Sequence, residues 1–346
     1  MRSQVKEREA QTVEYSKKKR KPLRIIIISI SAFFVLLIVS SLTLTPVPLA
    51  LIVRKVFEKS PAVAPNGYEE IKQQVIVTKD LTYPSKYKDN SADVYIPKDK
   101  EGSFPVILWV HGGAFVGGDK KDVEIYATVL ASEGYAVVCM NYERAPEAKY
   151  PVPVLQTEEA YIWLKTISTD YQIDIERLIL AGDSAGAHIA AQFALIQSNT
   201  EYAIEMEREP IVPLETFKAV LLFCGPYDVL KISKNGNFIF DFILGRMAWA
   251  YSGERNWLKH FAVLGTINNH VTKDFPPAFI SDGNTMSFEN HGRELAEILK
   301  EKSVPVETYF VPVETEIIKH EYQFIMNTPI GEQSFEKTLE FIKKYI

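Results

Sequence analysis

Short apolar runs alternate along this chain with longer stretches whose apolar positions recur at helical spacing. Asp93–Ile96, Val106–Val110, Tyr135–Met140, Leu178–Leu180, Lys218–Phe223, Ala278–Ser281 and Val306–Val311 predict strands. Between and after them, Val123–Glu133, Val154–Ser168, Ala185–Ile196, Phe288–Lys300 and Gln333–Lys344 predict helices. Regular alternation of this kind implies an α/β fold with a mostly parallel central sheet covered by helices on both faces, and functional sites at the carboxyl ends of the strands. One excursion interrupts it: 231–269 carries Phe238, Phe240, Phe242, Trp249, Tyr251 and Trp257, which predict a helical cap whose aromatics pack on the domain below, line a pocket, or do both.

The other departure is at the start. Ile25 to Leu44 holds no charged residue, long enough to cross a bilayer core as one helix. Residues 1–24 carry nine Lys/Arg and three Glu, a net +6 that leaves −11 on the rest of a chain whose overall charge is −5. A basic tail alone fits nucleic acid or anionic lipid; the apolar run behind it favours a membrane and no nucleic-acid partner, with the tail in the cytoplasm and the remainder on the extracytoplasmic side. A cleaved signal peptide is the rival, but its cleavage site would be Ala62-Val63-Ala64, well beyond the apolar run and followed by Pro65. The expected organisation is a basic cytoplasmic tail at 1–24, a transmembrane signal anchor at 25–45, a linker or cap segment at 46–74 and a catalytic domain at 75–346.

At 346 residues, 47% hydrophobic, the chain can bury one large core. Cys139 and Cys224 both fall in apolar strand-like runs, so they are expected buried and unpaired, with no metal-ligand spacing.

Chemistry concentrates where strands end. Gly182-Asp183-Ser184-Ala185-Gly186 follows a predicted strand and opens a predicted helix. A serine at such a sharp turn stands exposed above the sheet, flanking glycines avoid collision, and the next N–H can stabilise an oxyanion. Upstream, the strand ending at Val110 runs into His111-Gly112-Gly113-Ala114-Phe115, a turn with bare backbone N–H groups. Downstream, His320 follows the last predicted strand, so serine precedes histidine in the order of a hydrolytic triad on this kind of sheet.

These residues, with Asn141-Tyr-Glu-Arg-Ala-Pro-Glu147, Tyr150-Pro151, Pro277-Ala-Phe-Ile-Ser281 and His320-Glu-Tyr-Gln-Phe324, resemble the hormone-sensitive-lipase-like branch of the α/β-hydrolases over about residues 75–346. The resemblance implies hydrolysis of small ester substrates without a metal or organic cofactor, with Ser184 as nucleophile, His320 as base and the N–H groups of Gly113, Ala114 and Ala185 as oxyanion donors. It also exposes a gap, because the position where that branch carries its triad aspartate is Met286. Asp282 at the end of a strand is the first choice of substitute; Glu289 at a helix start, Asp228 after the preceding strand, or no acid at all are the alternatives. Two rival functions share the scaffold: a catalytically lapsed hydrolase serving as a binding module, and an amidase or peptidase.

Overall fold

The computed structural model describes Met1 and residues 24–40, 44–57, 62–234 and 236–346. It divides into two units, Met1–Leu49 and Ala50–Ile346. In the first, residues 24–40 are helical and expose apolar side chains from Ile25 to Val39. No helix of the described residues is long and apolar enough to cross a membrane. Residues 2–23 of the expected tail and 41–43 of the expected span lie outside the described residues.

The second unit is built on eight strands: β1 Val75–Thr82, β2 Ser91–Pro97, β3 Phe104–Val110, β4 Ala136–Met140, β5 Ile173–Asp183, β6 Phe217–Phe223, β7 Ala278–Asp282 and β8 Val306–Phe310. They form one sheet in the order β1-β2-β4-β3-β5-β6-β7-β8. β2 is antiparallel to both neighbours, and the pairings from β4 through β8 are parallel. Every residue of β3, β4 and β7 is buried, as strands covered on both faces require. The sequence reading began the sheet at Asp93 and so missed β1. That strand buries only Val75 and carries Lys79 and Asp80 where apolar alternation would be expected. Its register breaks between Thr78 and Leu81. Lys120 secures this edge from below, with Nζ 2.8 Å from Asp80 and 2.7 Å from Asp93.

At the centre, Trp109 of β3 stacks on Phe223 of β6 with centroids 5.6 Å apart and meets Tyr126 edge-on. The helix Ala185–Ser198 follows β5 and is buried along its whole length, which its run of Ala and Gly permits beneath the cap and against the sheet. Parallel register brings the strand ends level: Val110 pairs with Gly182, Asp183 with Phe223, Phe223 with Ser281, and Asp282 with Phe310. The residues that follow these ends therefore share one rim. Cys139 and Cys224 are buried and free, as expected.

The excursion forms the helices Phe238–Ser252 and His260–Gly265. Its aromatics divide. Tyr251 stacks on Phe115 at 4.1 Å and meets Phe261 edge-on, and Trp249 and Trp257 are buried, whereas Phe238 at the helix start is 86% exposed. Packing thus accounts for the aromatics of the cap's body.

Candidate active site

The turn at Ser184 has φ 51° and ψ −119°, a left-handed conformation that non-glycine residues adopt at a cost of order 1–3 kcal/mol. The surroundings hold it there. Ser184 N donates to Phe223 O at 2.7 Å. The glycines are required by crowding: a Cβ on Gly186 would lie 2.0 Å from Val110 O, and one on Gly182 would lie 2.5 Å from the Gly186 carbonyl. Ser184 Oγ consequently points off the sheet towards the loop after β8, where His320 Nε2 lies 2.9 Å away.

That second loop is fastened to the loop after β7. Thr285 N donates to Ile318 O, Asn284 Nδ2 donates to Val311 O and Glu316 O, and Ile318 N donates to Asn284 Oδ1. A Cβ on Gly283 would lie 2.2 Å from Lys319 O, so the two backbones touch. The fastening delivers Ser287, a residue the sequence reading did not single out, to the far side of the imidazole. Its Oγ is 2.6 Å from His320 Nδ1, and its hydroxyl donates to Asp282 Oδ1 in a very short contact. Asp282 therefore stands at the histidine's back, one hydroxyl removed from it. The mutually consistent directions run from Ser184 O–H to Nε2, from Nδ1–H to Ser287, and from Ser287 O–H to Asp282.

The alternative acids have other partners. Glu289 Oε1 accepts from Arg293 at 2.6 Å, and Asp228 caps a short turn by accepting from Leu230 N at 3.0 Å. Met286 is 63% exposed with φ 50°, beside the relay and not in it.

Burial sets the electrostatics. It lowers the His320 pKa from 6.5 to about 4, so the imidazole is neutral and able to accept a proton near pH 7. Burial also raises Asp282 from 3.8 to about 7, offset by the Ser287 hydrogen bond. The ligand atoms of Cys224, Asp282 and His320 lie within 4.8 Å of one another, but both ring nitrogens of His320 are engaged with serine hydroxyls, which leaves none for a metal.

The loop after β3 faces the elbow. Gly113, Ala114 and Phe115 all have positive φ, at 114°, 54° and 64°. A Cβ on Gly113 would lie 2.3 Å from the Gly117 carbonyl. Ala114 and Ala185 share with Ser184 the wall of a narrow pocket, closed by Ile232, Leu244 and Met247 of the cap region and by Phe288. Gly113 precedes this wall without lining it. From the linker, Arg54 Nη2 donates to Ala145 O at 2.6 Å and its Nε donates to Val116 O at 2.6 Å, fixing the far end of the same loop. A wider charged cleft, with Lys231, Glu289, Arg293 and Glu294 on its walls, reaches Ser287 from the other side.

Asp183, the second residue of the elbow motif, also escaped the sequence reading. Its two oxygens accept from Trp109 Nε1 and Gly112 N, both at 2.7 Å. A buried carboxylate beside the serine of that motif was the available signal.

Known proteins resemble this chain in sequence and in fold. The BD-FAE family model matches residues 92–293. The probable carboxylic ester hydrolase LipM of Mycobacterium tuberculosis is 24% identical over 211 residues, 60% of this chain and about half of LipM (48%). An acetyl esterase of Salmonella choleraesuis is 24% identical over 246 residues, 68% of this chain and 72% of that protein. Among solved structures, esterase B from Lactobacillus rhamnosis superposes with a TM-score of 0.72 at 19% identity, covering 91% of this chain and 95% of that one. The hyperthermophilic esterase of Pyrobaculum calidifontis gives 0.63 at 19% identity, covering 85% and 91%. With the family model spanning most of the sheet, the serine elbow and the cap, the chain belongs to the BD-FAE family, and it is an α/β-hydrolase of the hormone-sensitive-lipase-like esterase type.

Proposed function

We propose that this chain is a membrane-anchored serine hydrolase that cleaves carboxylic esters of small or medium acyl chains. The observation that carries the reading is the 2.9 Å contact from Ser184 Oγ to His320 Nε2 at a strained turn. Ser184 attacks the acyl carbonyl while His320 takes its proton; the tetrahedral oxyanion is held by the N–H groups of Gly113, Ala114 and Ala185. The imidazolium then gives its proton to the leaving alkoxide, and water, activated by the same imidazole, releases the acid. Asp282 acts through Ser287, whose hydroxyl accepts from Nδ1 and donates to the carboxylate, so that the acid orients the ring and stabilises the imidazolium at one remove. The aliphatic wall of Ile232, Leu244 and Met247 and the narrowness of the pocket beside Ser184 favour short acyl groups. The names of the acetyl esterase and esterase B relatives agree with an ester as substrate.

The purified protein should hydrolyse a nitrophenyl ester series with preference for short chains and label with a fluorophosphonate probe. Ser184→Ala should abolish labelling and lower the rate by at least about a thousandfold. Labelling that survives the substitution would refute the nucleophile.

For the anchor, support comes from the uncharged run Ile25 to Leu44, the exposed apolar side chains of the helix at 24–40, and the basic residues before it. Full-length protein should fractionate with membranes and be shaved from intact cells by added protease. Recovery in the soluble cytosolic fraction would end that part of the reading.

A further inference from the structure

One ionisable group beside the site has no part in the steps above. Glu321 follows His320 directly, in a left-handed conformation (φ 58°) that turns its side chain back under the oxyanion loop. Its Oε1 lies 3.7 Å from His320 Nε2. Its carboxyl and that of Asp183 converge on the same side of Gly112, and two neighbouring carboxyl groups hydrogen-bond to each other only by sharing a proton. Asp183 in turn holds Gly112 N at 2.7 Å, one residue before the proposed oxyanion donors. The pair explains Gly112 itself, since a Cβ there would lie 2.4 Å from Asp183 Oδ2 and 2.9 Å from Glu321 Oε1.

From this geometry we infer that Glu321 is a positioning residue: its protonated carboxyl donates to Asp183 and thereby ties the histidine loop to the oxyanion loop at a fixed separation. The inference rests on the hydrolase reading of Ser184 and His320. Asp183 already accepts from Trp109 Nε1 and Gly112 N, so it is the better placed of the two to carry the single charge. Burial, then Asp183, raises Glu321 well above the ordinary carboxyl range, and burial raises Asp183 to about 7. The other ionisable groups facing the pair add negative charge when ionised: Asp122 from the turn Lys120–Val123 and Asp282 from the end of β7. Cys224, whose Sγ accepts from Glu321 N at 3.4 Å, is held protonated by burial, and Tyr142 likewise. Loss of the shared proton at high pH leaves two carboxylates in contact, which pushes the two loops apart and weakens the oxyanion site.

The test uses the full chain with Glu321→Gln and Glu321→Ala. Glutamine keeps a donor to Asp183 but has no proton to lose. Its kcat/KM near pH 7 should stay within about threefold of wild type and its alkaline limit should move upward, while alanine should lose about tenfold or more, the scale of one charge-assisted hydrogen bond. A second readout needs no activity. Because Glu321's folded pKa stands above its unfolded value, the stability it contributes is present at low pH and lost as pH rises; the Tm of Glu321→Gln relative to wild type should therefore climb steadily with pH. A glutamine variant as impaired as alanine, a pH profile superimposable on wild type, or a Tm difference flat with pH would overturn the inference. If wild type neither hydrolyses esters nor reacts with the fluorophosphonate, the hydrolase reading fails instead, and the Tm series still decides whether the pair shares a proton.

Discussion

Replacing Ser287 by alanine tests the relay behind His320. In the resting site the imidazole is neutral, and its Nδ1–H donates to a neutral hydroxyl, a bond whose net worth is about 0.5–1.5 kcal/mol. At the transition state the ring carries a positive charge, so the same bond becomes charge-assisted and rises to about 1.5–3 kcal/mol. Only the increment between the two states accelerates the chemical step. Asp282 behind the hydroxyl adds to that increment, but through one intervening group and with its charge in reserve, since burial raises its pKa to about 7. Deleting the hydroxyl also frees the ring to turn and take the wrong tautomer. The increment of about 1–1.5 kcal/mol is about 5- to 13-fold, and with the contribution of Asp282 and the freed ring the expected loss in kcat/KM is about 10- to 50-fold, well below the roughly 10⁴-fold cost of disabling a directly bonded triad aspartate. Ser287 is only half-buried, so Tm should hardly change, and Ser287→Thr, which keeps a hydroxyl, should recover most of the rate. The assay is steady-state hydrolysis of nitrophenyl acetate beside thermal melts of the three proteins. A Ser287→Ala rate within threefold of wild type, or a threonine variant as slow as the alanine one, would refute the relay.

Met286→Asp should leave the rate within a few-fold of wild type, because that side chain is 63% exposed beside the relay; a hundredfold gain in the same assay would mean the carboxylate reaches Nδ1 after all. The acid limb of kcat/KM should sit near pH 4, the value to which burial lowers His320, with the rate rising as pH climbs and the ring loses its proton; a limb at the ordinary 6.5 contradicts this. A second, smaller rise near pH 7, as Asp282 ionises behind Ser287, should vanish in Asp282→Asn, which also lowers the upper plateau; a profile unchanged in that variant would remove Asp282 from the mechanism.

The sequence by itself determined the sheet's core, because fully buried parallel strands such as β3, β4 and β7 must be continuous apolar runs, and those are visible without a structure. Ser184 and the Gly113–Ala114 turn were legible for a related reason: local backbone geometry demands glycine and small residues around a strained elbow and a loop of bare N–H groups, while His320 was read from chain order, after the last strand. β1 was hidden because an edge strand buries one apolar residue and answers to no strong pattern. What held His320 from behind depended on tertiary structure alone. Asp282 ends a strand, Ser287 sits in an irregular loop and His320 lies in another, and they meet only because Asn284, Thr285 and Gly283 fasten those two loops together. The pairing of Asp183 with Glu321 is of the same kind: two carboxyl groups 138 positions apart in sequence, whose contact is set by strand register and by a left-handed turn at a non-glycine residue. Apolar burial leaves a periodic trace in sequence, since each residue answers to the same solvent boundary; hydrogen-bond partners joined across loops answer only to each other, and that correspondence exists only in three dimensions.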